Sequence, residues 1–365
     1  MAPPTVLHVT NDRVLDHNVS FGRGFAALCQ EGLIRHHAVA PSADALRHGP
    51  ARALRELADV AGEIRPDVMF VQPIGSLPWT DDYLAALLRR AGSPHTLFWE
   101  GDAICEDKAR RSHRLVWYRA SDTVCATGLG ATRRVLSRFT RRSPRYVPNV
   151  VPGRLLTPAP IPPIAEAVHD AVQIGGLYLR FGLYEGVAGA RERRRTVQGV
   201  RRLPGCRTAV YGTGWRGRGA LGPLPYDAQV STLRRARFSF SWSHFPGRLG
   251  EFSDRLPISM YAGRPHIGTR PGPVGWLPGR DQGLLLADSP AEAVALAREL
   301  LGTDDATLDA MGRALHEWVR DRLTERNALL HMLGPILGLP APPADPWDAI
   351  TAMETQDRDG DRVHA

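Results

Sequence analysis

The spacing of hydrophobic residues along the chain switches repeatedly between two periods. Short apolar runs, typical of buried strands, are separated by segments in which apolar residues recur every three or four positions, as on one face of a helix. Strands that alternate with helices predict a parallel sheet covered by helices on both faces. In the first half, the strand-like runs cover residues 5–10, 35–40, 67–71, 95–99 and 121–127, and helical spacing covers residues 21–31, 51–64 and 81–91.

The second half repeats this alternation after a proline-rich stretch at residues 148–163. We therefore predict an α/β chain with two doubly wound, Rossmann-like domains. The predicted parts are an N-terminal domain at 1–150, a proline-rich linker at 151–168, a C-terminal domain at 169–335, and a proline-rich and charged tail at 336–365 that is poorly ordered.

The net charge of +8 comes almost entirely from arginine, because Lys108 is the single lysine among 46 basic residues. Such a bias is typical of a GC-rich genome, and the arginines are spread along the chain. The alternative is an affinity for anions such as phosphates or nucleic acid. No basic motif interleaved with aromatic residues favours nucleic acid.

Membrane and secretory features are absent from the sequence. No apolar run approaches the roughly 18 residues of a membrane span, and the first residues lack the pattern of a secretory signal. The four cysteines show no CxxC pair. We therefore expect reduced thiols and a cytoplasmic protein.

Three glycine patterns follow or precede predicted elements. Gly22-x-Gly24 lies about ten residues beyond its strand, and the segment after Gly212-x-Gly214 is rich in proline and glycine. Neither fits a dinucleotide fingerprint, which needs the glycines in a tight turn between strand and helix. Gly175-Gly176 is better placed, directly after a strand, where glycines let backbone N–H groups approach an anion.

Residues 251–268 are the most informative stretch. Ser253 and Asp254 are natural N-cap residues for a short helix, and Arg255 beside them is a fork-shaped partner for phosphate. Simple capping with a surface arginine explains these residues too, but not the turn Ala262-Gly-Arg-Pro265 that follows.

With these motifs, the second half resembles the C-terminal domain of group 1 glycosyltransferases with the GT-B fold. It is most similar to their spore-maturation-protein-like branch. The features that carry the resemblance are Ser253-Asp-Arg-Leu256 with the turn at 262–265, Gly175-Gly176, Val210-Tyr-Gly212, Gly222-Pro-Leu-Pro-Tyr226, and the segment 278–290. In the first half the likeness is looser and concerns residues 119–127 and Tyr146-Val-Pro-Asn149.

The resemblance implies a nucleotide-diphosphate-sugar donor, bound in a cleft between the domains, and a small-molecule or glycan acceptor. It also implies that backbone N–H groups, helix N-termini and basic side chains neutralise the diphosphate, so that no metal or other cofactor is required. The expected donor-binding residues are Gly175, Gly176, Arg180, Gly212, Leu224, Tyr226, Glu251, Ser253, Asp254 and Arg255.

One departure from the family concerns the donor-site helix. Many retaining members carry a glutamate about six residues before the glycine of the Ala-Gly pair, where this chain has Pro257 and Ile258. Glu251 is the nearest acid. The resemblance therefore does not imply whether the sugar's anomeric configuration is retained or inverted during transfer.

The acceptor side is expected at strand ends of the N-terminal domain, where ligands collect in open α/β sheets. A carboxylate there could deprotonate an acceptor hydroxyl. The candidates are Asp102, then Glu100, then His17, with Asp12 and Asp16, in the same loop as His17, as competitors. Asp81-Asp82 opens a helix, and capping is its expected role.

Two alternatives remain open at this point. One is a protein that binds nucleic acid or modifies DNA through its basic surface. The other is a catalytically inactive GT-B subunit, suggested by the missing helix glutamate.

Overall fold

The computed structural model describes residues 2–14, 20–75, 77–102, 113–180, 184–185 and 189–363. The chain divides into two compact units, the first made of Met1–Pro148 with Thr324–Ala365 and the second of Asn149–Leu323. Each unit holds one six-stranded parallel sheet. The predicted α/β fold with two Rossmann-like domains is confirmed.

The sheet of the first unit has the strand order β2-β1-β3-β4-β5-β6. Its central strands are buried on both faces, which explains their continuous apolar runs. Pro41, directly after the predicted strand at 35–40, opens a helix, because proline fits the first helical position. The elements are β1 (Thr5–Val9), α1 (Gly22–Gln30), β2 (Arg35–Val39), α2 (Pro41–His48), α3 (Pro50–Ile64), β3 (Val68–Val71), α4 (Asp81–Arg90), β4 (His95–Glu100), α5 (Leu115–Ala120), β5 (Thr123–Ala126), α6 (Ala131–Ser137) and β6 (Arg145–Tyr146).

The second unit has the strand order β11-β10-β7-β12-β13-β14, with a small antiparallel pair, β8 and β9, outside this sheet. Its elements are β7 (His169–Ile174), β8 (Leu179–Arg180), β9 (Tyr184–Glu185), α7 (Ala190–Arg201), β10 (Thr208–Tyr211), β11 (Ala220–Gly222), α8 (Gln229–Leu233), β12 (Ala236–Phe240), α9 (Arg255–Tyr261), β13 (His266–Thr269), β14 (Leu284–Ala287), α10 (Pro290–Gly302) and α11 (Asp305–Arg322), with short 3₁₀ turns at Gly153–Leu155, Ile164–Glu166, Tyr226–Ala228 and Arg280–Gln282. Within the described part of the chain, no helix combines the length and apolar character that crossing a membrane requires.

The end of the chain differs from the predicted domain limits. α12 (Glu325–Leu337) and α13 (Ala344–Val363) belong to the first unit, whereas we expected a C-terminal domain to 335 and a poorly ordered tail at 336–365. Trp347 and Ile350 are buried, and the Asp357 carboxylate accepts hydrogen bonds from the Gly130 N–H (3.1 Å) and Arg133 Nη1 (3.2 Å). Buried apolar contacts and a bound carboxylate therefore order a segment whose composition alone suggested disorder.

A second carboxylate near the end of the chain, at the start of α12, caps α1. The Glu325 side chain is buried, and its two oxygens accept hydrogen bonds from the N–H groups of Phe21 and Gly24, each at 3.0 Å. A Cβ on Gly24 would lie 2.7 Å from Glu325 Cβ, so this glycine leaves room for the capping side chain. The Gly22-x-Gly24 pattern is thus explained by helix packing.

We expect Glu325→Gln to lower the free energy of unfolding by about 1.5–3 kcal/mol, because a buried N–H loses its charged acceptor. Urea denaturation followed by circular dichroism measures this change. Glu317→Gln, an exposed glutamate on α11, is the matched control and should change stability by less than about 0.5 kcal/mol. Equal effects of the two substitutions would contradict the capping role.

Candidate functional site

The strand order of the second unit marks one edge of its sheet. The chain passes from β7 to β10 on one side and later returns to β12 on the other side of β7. Open α/β sheets bind ligands at the carboxyl ends of the strands where the order reverses in this way. Gly175-Gly176 follows β7 directly and therefore lies at that point.

A cavity of about 240 Å³ opens at this edge. It brings together seven of the ten expected donor-binding residues, which come from four separate segments of the chain. Its described lining is Ile174, Gly175, Gly176, Tyr178, Gly212, Thr213, Pro223, Leu224, Tyr226, Gln229, Asp254 and Arg255.

Two glycines at the cavity are required by their geometry. Gly175 has a φ of 140°, and a Cβ there would lie 2.9 Å from Arg255 Nε. Gly212 has a φ of 127°, and its Cβ would lie 2.5 Å from the Gly175 carbonyl carbon. The turns after β7 and β10 therefore pack backbone against backbone, and the Arg255 side chain lies against them.

Arg193, which sequence reasoning missed, holds the turn after β7 in place from the interior of the unit. It is 2% exposed; Nη1 donates to the Gly176 carbonyl (2.8 Å) and Nε to the Trp242 carbonyl (2.8 Å). It therefore joins the segments after β7 and β12. The available signal was helical spacing, because Arg193 lies four residues before the buried Val197 on α7.

The two arginines make this edge of the sheet positive. Neither Arg193 nor Arg255 forms a salt bridge with a carboxylate of the described residues. Burial, with a contribution from Arg255, lowers the pKa of Arg193 to about 9. Burial and both arginines lower the pKa of His244, which lies nearby, to about 3, so its imidazole is neutral at pH 7. An anion is the natural complement of such a site.

Tyr226 and Asp254 pair across the cavity, which corrects the expected capping role of Asp254. Asp254 does stand at the N-cap of α9, but its described bond is from the Tyr226 hydroxyl to its carboxylate (2.8 Å), with no capping bond to the helix. Its own backbone is helical, which turns the side chain away from the capping geometry. The Arg154 guanidinium lies over the Tyr226 ring, 4.1 Å from its centroid, and so holds the ring in place as well.

Three expected donor residues stand apart from the cavity. Glu251 is buried, accepts a long bond from the Ser243 hydroxyl (3.5 Å) and is not among the described lining residues. Ser253 accepts a long bond from Arg255 Nη1 (3.4 Å) and does not line the cavity either. Arg180 belongs to β8, but its side chain lies outside what the structure describes.

In the first unit, Glu100 and Asp102 form a cluster with two further side chains. The buried Glu100 carboxylate accepts from Arg114 Nη1 (2.8 Å) and from the Tyr118 hydroxyl (2.6 Å). Asp102, whose side chain is 55% exposed, contacts the same Arg114 nitrogen at 3.2 Å. Burial raises the pKa of Glu100, and the Arg114 guanidinium opposes that rise.

The other candidate bases have local partners or lie outside the described residues. Asp16 and His17 lie outside them. Asp12 accepts from the Thr10 hydroxyl and from the Ser20 N–H (3.0 Å). Asp81 and Asp82 lie in the first turn of α4, and Thr80 caps that helix through the Tyr83 N–H. Across the described residues, His, Cys, Asp and Glu side chains form no group of three that could hold a metal ion.

A comparison with known families finds one match, in the second half of the chain. Residues 191–334 match the family described as "Glycosyl transferase-like". This segment carries most of the described lining of the cavity, including Gly212, Tyr226 and Arg255, and also Arg193 behind the glycine turn. No curated protein matches the sequence.

Solved structures share the fold over nearly the whole chain. A sucrose-phosphate synthase from Thermosynechococcus elongatus is 14% identical with a TM-score of 0.57, over 90% of this chain and 97% of that chain. An alpha-glucosyltransferase in complex with UDP-glucose and DNA is 10% identical with a TM-score of 0.61, over 91% and 98%. A putative UDP-N-acetylglucosamine 2-epimerase from Listeria monocytogenes is 14% identical with a TM-score of 0.53, over 93% and 99%. At these identities the likeness concerns the fold alone.

We expect Arg193→Met to lower the free energy of unfolding by roughly 2 kcal/mol or more, because it leaves the buried Gly176 and Trp242 carbonyls without donors. Thermal and urea denaturation measure the loss. Arg195→Met, which changes an exposed arginine of the same helix, is the control. If the two variants were equally stable, Arg193 would not hold the turn.

Proposed function

We propose that this chain is a glycosyltransferase of the GT-B type that moves a sugar from a nucleotide-diphosphate-sugar to a hydroxyl or amine acceptor. The glycosyltransferase-like match at 191–334 and the two Rossmann-like domains support sugar transfer. The observation that carries the donor assignment is the placement of Arg193 and Arg255 at the Gly175-Gly176 turn, without a carboxylate partner among the described residues. We also propose membership of the spore-maturation-protein-like branch, on the Ser253-to-Pro265 segment.

The diphosphate is the part of the donor that this site suits best. When the glycosidic bond breaks, negative charge builds up on the leaving diphosphate, and fixed cations stabilise it. Arg255 lines the cavity and is the direct partner, because a guanidinium offers two parallel donors to phosphate oxygens. Arg193 acts indirectly, since its N–H groups are bound to the Gly176 and Trp242 carbonyls. It positions the glycine turn and adds positive potential.

The nucleoside is assigned to the opposite part of the cavity, near Leu224 and Tyr226. Pro223 and Leu224 supply apolar contacts for a base. Tyr226 is held by Asp254 on its hydroxyl and by Arg154 on its ring, so it presents a fixed surface. A UDP-sugar is a reasonable first donor to assay, because the DNA-bound alpha-glucosyltransferase of the same fold was solved with UDP-glucose.

Arg255→Gln is expected to weaken binding of a nucleoside diphosphate by roughly 1.5–3 kcal/mol, about tenfold or more, because a charged hydrogen bond to phosphate is lost. Calorimetry with UDP, ADP and GDP measures the affinity. Arg235→Gln, an exposed arginine before β12 and away from the cavity, is the control. Unchanged affinity of Arg255→Gln for every nucleotide that the wild type binds would remove Arg255 from the donor site.

For the acceptor, we propose Asp102 as the base that removes the hydroxyl proton. Its side chain is half exposed at the end of β4, whereas Glu100 is enclosed by Arg114 and Tyr118. Glu100 is better suited to hold Arg114 in place, and Arg114 in turn orients the Asp102 carboxylate. His17 stays a candidate from the sequence.

We expect Asp102→Asn to lower kcat by roughly 10²–10⁴-fold with little change in donor affinity, because a base acts only during chemistry. Turnover of nucleotide-sugars, with calorimetry for binding, separates the two quantities. Asp82→Asn, an exposed carboxylate on α4, should keep full activity. Full activity in a folded Asp102→Asn variant would exclude Asp102 as the base.

We also propose that transfer needs no metal, because Arg255 and the backbone supply the positive charge. EDTA should therefore leave turnover and nucleotide affinity within about twofold of their values in untreated enzyme. Loss of turnover on chelation, restored by magnesium or manganese, would contradict this model of the phosphate site.

A DNA acceptor is the second candidate. α7 exposes Arg194 and Arg195 beside Arg191, and one solved neighbour was crystallised with DNA. Binding to duplex DNA that weakens steeply with salt, together with sugar transfer to it, would favour this acceptor. An inactive subunit would instead bind nucleoside diphosphate without any turnover.

A further inference from the structure

A second cavity, of about 500 Å³, lies beside the candidate donor cavity in the second unit. The two cavities share no described lining residue. The turns after β7 and β10 contribute residues to both: Gly175, Gly176 and Gly212 line the donor cavity, and Leu177, Gly214 and Trp215 line the second. The second cavity is lined by Leu177, Leu179, Arg194, Gln198, Arg201, Gly214, Trp215 and Arg216.

One side of this cavity is cationic. Arg194, Gln198 and Arg201 are spaced by four and three residues and so share one face of α7. Arg216 approaches from the turn after β10, and its carbonyl accepts from Arg201 Nη1 (3.0 Å). The described lining contains three arginines and no acidic residue.

Arg201 carries a charge that the described residues do not balance. Its Nε and Nη2 atoms are buried without a hydrogen-bond partner among those residues, although its guanidinium lies 5.9 Å from the Trp215 ring centroid. Burial lowers the pKa of Arg201, and no carboxylate raises it. A half-buried cation of this kind is costly unless an anion comes close to it.

The other side of the cavity is apolar and firmly held. Leu177 and Leu179 line it together with the Trp215 ring. Trp215 Nε1 donates to the Gly175 carbonyl (2.7 Å), and the Leu177 N–H donates to the Thr213 carbonyl (2.9 Å). The volume lies within the roughly 300–1,000 Å³ that small-molecule sites occupy, so the space suits more than an inorganic ion.

We propose that this cavity is a second ligand site, distinct from the donor cavity, and that it binds an organic phosphate with a ring. The phosphate would lie against Arg194, Arg201 and Arg216, whose guanidiniums suit a doubly charged anion with several acceptor oxygens. The ring would contact Trp215 and the two leucines. A nucleotide and a cyclic sugar phosphate share this chemistry.

The test uses 1-naphthyl phosphate as a probe that has both parts, with inorganic phosphate and 1-naphthol as its halves. Calorimetry on the full chain should show one site, at which the probe binds at least about tenfold more tightly than either half. Arg201→Gln and Arg216→Gln should each weaken the probe at least about tenfold. Arg195→Gln, on the same helix but outside the cavity, and Arg255→Gln, in the donor cavity, should leave its affinity within about twofold.

Each contrary result rejects the site. If Arg255→Gln lost probe binding and Arg201→Gln kept it, the probe would be bound in the donor cavity. Equal affinity in all four variants, or no binding to the wild type, would also contradict the proposal. Arg216→Gln decides the matter if Arg201→Gln does not fold, because Arg216 is exposed. Adenosine monophosphate and glucose 6-phosphate, tested in the Arg255→Gln background, then distinguish the two natural sources. The test does not depend on sugar transfer, so it can succeed or fail separately from the proposed function.

Discussion

The candidate site depends on one buried guanidinium, that of Arg193. Its donors bind the carbonyls of Gly176 and Trp242, which follow β7 and β12, the two strands between which the sheet order reverses. The segments that follow these two strands run in different directions, and the buried arginine joins them through its hydrogen bonds. The glycine turn can then take a geometry that Gly175 and Gly212 alone permit, with backbone packed on backbone.

This arrangement also decides the charge of the site. Arg193 is satisfied by carbonyls, which leave its positive charge in place where a carboxylate would cancel it. Arg255 lies against the same turn, and both lower the pKa of His244. The positive potential therefore does not depend on pH in the neutral range. Fixed positive charge of this kind is what stabilisation of an anionic leaving group, as in the proposed function, requires.

Carboxylates hold several points of the first unit. Glu325 and Asp357 reach back from the end of the chain to the N–H groups that open α1 and α6, and Glu100 holds Arg114 beside Asp102. In each case a charged group is buried with its hydrogen bonds satisfied, which limits the cost of removing it from water. The last helices thereby complete the unit that the first residues begin.

The sequence by itself determined the α/β class, most strands and helices, and seven residues of the cavity. The class and the elements follow from apolar spacing, and Gly175 and Gly176 from their place directly after a strand, which are local properties of the chain. The other cavity residues came from the motifs around Gly212, Tyr226 and Arg255 and from the family resemblance that those motifs carry. Tertiary structure decided which unit the last helices join, that Asp254 pairs with Tyr226 and does not cap α9, and that Arg193, among the four arginines at 191–195, is the buried one holding the site. It also decided that Glu251 and Ser253 stand apart from the cavity. The physical reason is that a charged side chain has no fixed role in its own segment, because its role depends on which carbonyl, carboxylate or N–H group the fold brings to it from a distant part of the chain.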